Sequence, residues 1–224
     1  MIQKFTLLLL SLSLVLIFSC SNQDNQPVSP PEKNNLPKKV DLIEVTPPSA
    51  LIESDAAEAK QVLEYFRMLN GIKDLQKIVN PPEQVAVDAL EDYWSGSWGY
   101  EDVILYWEAW YEGEIYKVEI TADGSFYGFN FNNVKFLELE SSSDGRIGML
   151  NLYGPNGFKL SSWDWTLDDD EVYSINYLTP LGGLIEAEVN PDLSGWMEYY
   201  EGDTFVFGII WNSDGSWIWL NEKV

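Results

Sequence analysis

The apolar positions of this chain follow three successive patterns. Positions 5–18 form an almost unbroken apolar run, positions 54–79 carry apolar residues three and four apart, and from position 93 apolar and polar residues largely alternate. A spacing of three and four is that of one face of an α-helix, whereas alternation is that of a β-strand. The chain is therefore predicted to open its folded part with helices and to continue as a β domain.

Two or three short helices are predicted over the helical stretch. The first begins near Ser54, a candidate N-cap, and ends at Asn70-Gly71, a typical helix stop. A short second helix is predicted over 72–79. The residues at 80–83, Asn-Pro-Pro-Glu, have the pattern of a capping box, so a third helix is predicted over about 81–92.

The alternating part is predicted to form about ten or eleven short strands separated by Asp-Gly, Gly-Gly and Asn-Gly turns. Connections this short favour antiparallel hairpins. The predicted fold class is mainly β: an antiparallel meander, either a barrel or a strongly curved sheet, preceded by the short helices. The predicted strands are roughly 102–110, 115–121, 125–131, 134–140, 146–153, 158–166, 171–178, 184–189, 195–200, 204–211 and 216–221.

A degenerate repeat supports this regular β architecture. Residues 107–114 align with residues 196–203, and each copy leads through an alternating apolar stretch to Asp-Gly-Ser-aromatic, at 123–126 and 214–217. The repeat predicts one hairpin unit that is used more than once, with an aromatic strand, an acidic turn, an alternating strand and a tight turn.

The apolar run at the amino terminus has the features of a secretory signal. Lys4 precedes it, it is shorter than the roughly 20 residues of a membrane span, and Cys20, the only cysteine, follows it. The ending Ile-Phe-Ser-Cys at 17–20 resembles the lipobox of bacterial lipoproteins. The resemblance implies that Cys20 becomes the lipidated first residue, carrying acyl chains such as palmitate, and that the protein is anchored in the bacterial cell envelope. Serine at position 21 implies the outer membrane. The alternatives are an ordinary secretion signal or a single-span anchor.

The segment after the lipobox has a composition that cannot support a core. Positions 21–50 hold six prolines among Ser, Asn, Gln and Lys, with few large apolar residues. Four regions are therefore predicted, and the last of them lies outside the cytoplasm. They are a signal peptide at 1–19, a lipidated and Pro-rich disordered tether at 20–50, a helical part at 51–93 and an acidic, aromatic-rich antiparallel β domain at 94–224.

The composition excludes several functional classes. Residues 83–224 hold 27 Asp and Glu against five Lys and Arg, and the formal net charge of the chain is −23. Such a surface repels phosphate backbones, so no nucleic-acid partner is predicted. The chain has no histidine, which excludes Ser-His-Asp catalysis and histidine-ligated zinc. With no catalytic motif present either, an enzyme is not predicted.

The densest acidic run, Asp168-Asp169-Asp170-Glu171, is predicted to be an exposed hairpin turn. Calcium binds oxygen ligands of this kind, so a Ca²⁺ site is an alternative, but the spacing matches no EF-hand loop. No cofactor is therefore predicted.

All ten tryptophans lie between positions 94 and 219. Aromatic side chains favour β-sheets and bury large areas, so most should belong to the core. Strands such as 204–211 are apolar on both faces, however, and the second face must be covered by the helices, by barrel closure or by a ligand. The candidate ligand-contact residues are Trp107, Trp110, Trp163, Trp165, Trp196, Trp217 and Trp219.

The predicted function is non-enzymatic binding or interaction in the cell envelope. The predicted partners are the membrane, through the lipid anchor, and a glycan, a small apolar ligand or an envelope protein. Gly96-Ser97-Trp98 resembles the Gly-x-Trp that opens lipocalins, and this resemblance implies an alternative, a carrier of a small apolar molecule. A carbohydrate-binding module or a glycosidase that uses two carboxylates is the third alternative.

Overall fold

A long helix and a meandering sheet dominate the described part of the chain. The computed structural model describes residues 40, 42–80, 88–90, 93–100, 102–126 and 129–221. The predicted signal peptide, Cys20 and the tether up to position 39 lie outside these residues. The helices are α1 (Ser49–Ile52) and α2 (Ala57–Val79). The strands are β1 (Asp88–Leu90), β2 (Tyr93–Tyr100), β3 (Val103–Glu112), β4 (Ile115–Phe126), β5 (Phe129–Ser142), β6 (Ile147–Tyr153), β7 (Lys159–Leu167), β8 (Tyr173–Leu178), β9 (Gly183–Val189), β10 (Gly195–Glu201), β11 (Thr204–Trp211) and β12 (Trp217–Leu220).

The twelve strands form a single antiparallel sheet in chain order, so the predicted fold class is confirmed. Each strand from β2 to β11 pairs with the strand before it and the strand after it. Within the described residues, β1 and β12 each pair with one neighbour, so the sheet is open.

The sheet curves around α2. The ring of Tyr65 lies 4.9 Å from that of Phe207 in β11, and the indole of Trp107 in β3 donates to the carbonyl of Val79 at 2.8 Å. Along α2, Tyr65 and Val79 are only about 21 Å apart. In a flat sheet, the eight steps from β3 to β11 would span about 38 Å. The sheet must therefore be strongly curved; we call its side toward α2 the inner face and the other side the outer face.

The core lies between α2 and the inner face. One stripe of α2 is fully buried, as its periodicity predicts. The sheet contributes Trp107, Phe207 and Trp211, which are among the largest fully buried side chains. The buried residues of the stripe are Val62, Phe66, Leu69, Ile72, Leu75 and Val79. Neither α1 nor α2 combines the length and the apolar character that a membrane-spanning helix requires.

The helix does not stop at Asn70-Gly71, so that prediction is wrong. The Asn70 side chain is engaged with the backbone of Val45 rather than with the helix end. A β-carbon on Gly71 would lie 3.5 Å from the Trp163 ring, so the glycine lies directly against the sheet. Because the buried stripe continues at Ile72, packing against the inner face extends the helix past a local stop signal. The predicted first helix and second helix are thus one.

The start of α2 also differs from the prediction. The helix begins at Ala57, and the preceding Ala56 is its N-cap without any side-chain cap. Ser54 instead accepts a hydrogen bond from the Ala56 backbone N–H at 3.3 Å. Its hydroxyl thus orders the turn between α1 and α2.

The end of the predicted tether is ordered. Val40, Leu42 and Val45 are almost completely buried, and they belong to the same hydrophobic core as α2. The prediction of a disordered tether up to position 50 is therefore wrong from Val40 onward, because these three apolar side chains bury enough surface to hold the segment. We call Val40 and Leu42 to Val45 the strap.

Asn70 within α2 and Asn80 at its C-cap hold the strap in place by hydrogen bonds. Asn70 and Asn80 each use a side-chain amide as a peptide group would, accepting from one backbone N–H and donating to the carbonyl of the same residue. This satisfies backbone groups that burial would otherwise leave unpaired. The bonds are Val45 N to Asn70 (2.8 Å), Asn70 to Val45 O (2.8 Å), Val40 N to Asn80 (2.9 Å), Asn80 to Val40 O (3.0 Å) and Lys73 Nζ to Leu42 O (2.7 Å).

The predicted third helix over 81–92 is wrong in its second half. Asp88–Leu90 form β1, which pairs with β2 through Ala89 opposite Trp94. The first half of that helix, 81–87, lies outside the described residues. The β domain therefore begins before position 94, and Gly96-Ser97-Trp98 lies inside β2 rather than ahead of the first strand.

Of the three Asp-Gly pairs, at 123, 144 and 214, two form the turns that this dipeptide predicts and the third is a bulge. Gly145 and Gly215 lie in turns with positive φ. Asp123-Gly124 instead lies inside β4, at a shift of register against β5. Gly124 has a φ of 152°, and a β-carbon there would lie 2.2 Å from the Asp102 carbonyl oxygen. The local signal is the same at all three sites, but β4 continues its pairing with β5 beyond position 124.

Candidate ligand-contact surface

The two faces of the sheet divide the candidate tryptophans. Trp107, Trp163 and Trp165 point to the inner face, where each is at most 4% exposed. They lie in the core, out of reach of an external ligand, and we do not retain them as contact residues. Trp110 and Trp196 lie on the outer face and are half-buried.

The buried indoles organise the core instead. Besides the bond from Trp107 to α2, Trp163 donates to the carbonyl of Leu69 at 3.1 Å. The ring of Trp163 also stacks on that of Tyr177 in the neighbouring strand, with centroids 4.5 Å apart. These contacts dock α2 at fixed positions along the curved sheet.

Trp165 and Trp211 share one arrangement that no sequence pattern indicates. Each indole faces a glycine directly opposite on the preceding strand and donates to a carbonyl of the turn before that strand. The pairing of each tryptophan with its glycine becomes visible only when the strand register is known. The opposing glycines are Gly148 and Gly195, and the accepting carbonyls are those of Gly145 (3.1 Å) and Leu193 (2.8 Å).

The last two candidates lie at the free edge of the sheet. Trp217 and Trp219 lie on the inner face of β12, partly buried against the core. Trp219 stacks on Phe207 with centroids 4.8 Å apart and rings 9° from parallel, and its indole donates to Asn221 at 2.6 Å. The two residues thus share one side of the strand, as alternation predicts.

The outer face of β7–β12 carries two rows of side chains that run across the strands. One row is acidic and polar as far as β10, and the other becomes apolar from β10 onward. The first row is Asp164, Asn176, Glu186, Glu198, Gly208 and Leu220. The second row is Thr166, Ser174, Glu188, Trp196, Ile210 and Ile218.

Lys159, the first residue of β7, is the only basic residue in this half of the sheet. Residues 160–221 contain 12 Asp and Glu and neither Lys nor Arg. Glu186 lies directly opposite Glu198, and Glu188 lies directly opposite Trp196. We call Glu186, Glu188, Trp196, Glu198, Ile210 and Ile218 the acidic-aromatic surface.

On the other half of the outer face, each of two lysines bridges two glutamates. Lys117 lies 2.6 Å from Glu112 and 3.1 Å from Glu140, and its hydrogen bond lowers the pKa of the Glu112 carboxyl. Lys135 makes the same kind of bridge at 2.6 Å and 3.0 Å to two further glutamates, Glu119 and Glu138. Two lysines against four glutamates leave this half negative as well, but its carboxylates are bridged by cations, whereas Glu186, Glu188 and Glu198 make no ion pair among the described residues.

The half that carries Lys117 and Lys135 holds a shallow depression beside Trp110. It is lined by Trp110, Lys117, Glu119, Glu138 and Glu140 among others and has a volume of about 60 Å³. Ligand pockets for small molecules measure roughly 300–1,000 Å³, so this depression can hold no more than a side chain or a few waters.

The acidic run 168–171 forms an exposed turn, as predicted, and its polar atoms serve the turn itself. The Asp168 carboxylate accepts the backbone N–H groups of Asp170 and Val172, each at 2.9 Å. Arg146 donates to the Leu167 carbonyl and to the Glu171 carboxylate, both at 3.1 Å. Among the residues that the structure describes, no three His, Cys, Asp or Glu side chains are arranged to hold a metal ion.

Buried tyrosines make the stability of the core sensitive to alkaline pH. Burial raises the pKa of Tyr177 from 10.0 to about 12, and it also raises the pKa values of Tyr116 and Tyr173. The unfolded chain then loses these protons at a lower pH than the folded chain. The stabilisation is fully present below pH 10 and is lost as the pH rises through about 12.

We therefore expect the free energy of unfolding to fall above pH 10, by about 1.4 kcal/mol per pH unit for each tyrosine concerned. Urea unfolding at several pH values measures this slope. A Tyr177→Phe variant should show a shallower slope than the wild type, and equal slopes would contradict the assignment.

No family model, curated protein or solved structure matches this chain. Its function is therefore inferred from the surface itself.

Proposed function

We propose that this chain is a lipid-anchored protein of the bacterial cell envelope that acts by binding rather than by catalysis. In this proposal the acidic-aromatic surface on the outer face contacts the partner. The observation that supports it most is the division of the two faces: α2 and the strap occupy the inner face, whereas Trp196, Ile210 and Ile218 lie on a face that no described element covers.

The exposed apolar side chains support a binding role. Ile218 is 57% exposed, and Trp196 and Ile210 beside it are only half-buried. A row of large apolar side chains on an uncovered sheet face is typical of an interaction site. The carrier alternative would need a hollow interior, whereas here α2 packs against the aromatic inner face, so we favour binding by the outer face.

The lipid anchor is tested by replacing its cysteine. In the host cell, Cys20→Ala should shift the protein from the membrane fraction to the soluble fraction or leave it unprocessed, because no thiol remains to be acylated. Fractionation and intact mass measure both outcomes. Ser19→Ala is the matched control, since a small residue still precedes the cysteine. Unchanged membrane retention and unchanged mass in Cys20→Ala would contradict the anchor.

The contact surface is tested by hydroxyl-radical footprinting of the full-length protein, in native envelopes and after purification in detergent. Trp196, Ile210 and Ile218 should be oxidised less in the envelope, because the partner covers them. Phe158 and Leu181, which are 72% and 74% exposed in turns, serve as internal controls and should be oxidised equally in both samples. Equal oxidation of the acidic-aromatic surface in both samples would refute the proposed surface.

A further inference from the structure

The apolar part of the acidic-aromatic surface is too small and too interrupted by charge to suit a purely apolar partner. Trp196, Ile210 and Ile218 form one row three strands wide, which spans about 10 Å. Glu188 continues the row on one side, and Glu198 lies two residues along β10 from Trp196. A partner that covers the apolar row must therefore also meet carboxylates.

The negative charge of this region favours a positively charged partner. Glu186 and Glu198 face each other across β9 and β10, where directly opposite side chains are about 5 Å apart at Cβ. Like charges at that distance destabilise the sheet when no partner is bound. Residues 160–221 contain no Lys or Arg, and among the described residues no ion pair relieves the repulsion between these two glutamates, although Glu198 accepts a hydrogen bond from the Tyr200 hydroxyl. A cationic group from outside would relieve this repulsion.

The spacing of the carboxylates specifies the geometry of the partner. Glu186 and Glu188 are two residues apart along β9, so their side chains emerge on one face about 6.8 Å apart. Alternate side chains of any extended polypeptide have the same repeat. A cation above Glu188 would also lie beside the ring of Trp196, where cation–π attraction adds to the ion pair.

We propose that the partner of this surface is an extended basic segment of another protein, with Lys or Arg at alternate positions. This inference rests on the proposed function and specifies its ligand class. The cationic side chains pair with Glu186, Glu188 and Glu198, and the stem of one of them lies against Trp196 and Ile210.

Two synthetic peptides of identical composition test the inference. One alternates Lys and Ser over seven residues with Lys at both ends, and the other places the same four Lys before the three Ser. Binding of each labelled peptide to the full-length protein in detergent is followed by fluorescence anisotropy at low salt. The alternating peptide should bind several-fold more tightly than its block isomer, and raised salt should weaken both.

A matched pair of charge variants separates the surface from the net charge of the protein. Glu186→Gln/Glu188→Gln/Glu198→Gln should weaken binding of the alternating peptide about tenfold, whereas Asp169→Asn/Asp170→Asn/Asp203→Asn, which changes the net charge equally, should weaken it less than about twofold. Trp196→Ala should also weaken binding, whereas Trp196→Phe should bind the peptide nearly as tightly as the wild type does. Circular dichroism confirms that each variant is folded.

Three results would overturn the inference: equal weakening by both triple variants, equal affinity for the two peptides, or tighter binding of a cationic glucosamine oligomer than of the alternating peptide. If one of these results is obtained while footprinting still shows protection of Trp196 in envelopes, the basic segment is refuted as the partner and the contact surface is retained. If the protection is absent, the proposed contact surface itself is refuted.

Discussion

Replacing Trp107 with alanine should lower the free energy of unfolding by about 3–5 kcal/mol. The side chain is completely buried between β3 and the end of α2, so its loss leaves a cavity that the surrounding core cannot fill. It also removes the hydrogen bond that the indole donates to the Val79 carbonyl. Urea denaturation followed by circular dichroism measures the change in the unfolding free energy.

The same strand offers a matched control. Trp110 lies three residues further along β3, on the outer face and half-buried. Trp110→Ala should therefore cost no more than about 1 kcal/mol, as is usual for partly exposed positions. If the two alanine variants are equally stable, the division of the tryptophans between the faces is wrong. Trp107→Phe should fall between them, because it keeps most of the apolar area and loses the hydrogen bond.

Replacing Gly195 with alanine should cost about 2–3 kcal/mol, although it adds a single methyl group. The new β-carbon would lie 2.2 Å from the Glu188 carbonyl oxygen and 2.6 Å from the Trp211 ring. Neither neighbour moves freely, because Glu188 belongs to β9 and Trp211 is held by its bond to Leu193. The strands β9, β10 and β11 must therefore separate locally to admit the methyl group.

Gly99→Ala is the control for this change. Gly99 also lies within a strand, but the nearest atom to an added β-carbon is the Val103 carbonyl oxygen at 3.9 Å. It should leave the unfolding free energy nearly unchanged or raise it slightly. Equal stability of the two glycine variants would contradict the close approach of Trp211 to Gly195.

The strand content of this protein was predictable because its signals are local. Alternating apolar residues and tight turns specify hairpins without knowledge of the rest of the chain, and they define β3 and β6 to β12 well. The predicted strands 115–121, 125–131 and 134–140 are wrong in number, because the structure has two long strands there, β4 and β5. The errors lie where tertiary contacts override local preference. Asn70-Gly71 has the chemistry of a helix end, yet Asn70 binds the strap and Gly71 lies against Trp163.

The candidate surface was predictable only in part, for a related reason. Alternation places Trp163 and Trp165 on one side of a strand, and Trp217 and Trp219 on one side of another. It does not indicate which side α2 covers, since that depends on the path of α2 across the sheet. The clearest sequence signal for the surface is the absence of Lys and Arg from residues 160–221, combined with the alternation of Glu186 and Glu188.

The strap determines how mechanical tension would enter the molecule. A pull on the amino-terminal side of the chain reaches the described fold first at Val40, which is hydrogen-bonded to Asn80 at the end of α2. Further extension would next load Leu42 at Lys73 and then Val45 at Asn70, so the attachments would open one after another rather than together. Sequential rupture of this kind needs less force than simultaneous shear. The strap would therefore peel away under load before the sheet itself is strained, which would shield the proposed contact surface from stress transmitted by the proposed lipid anchor.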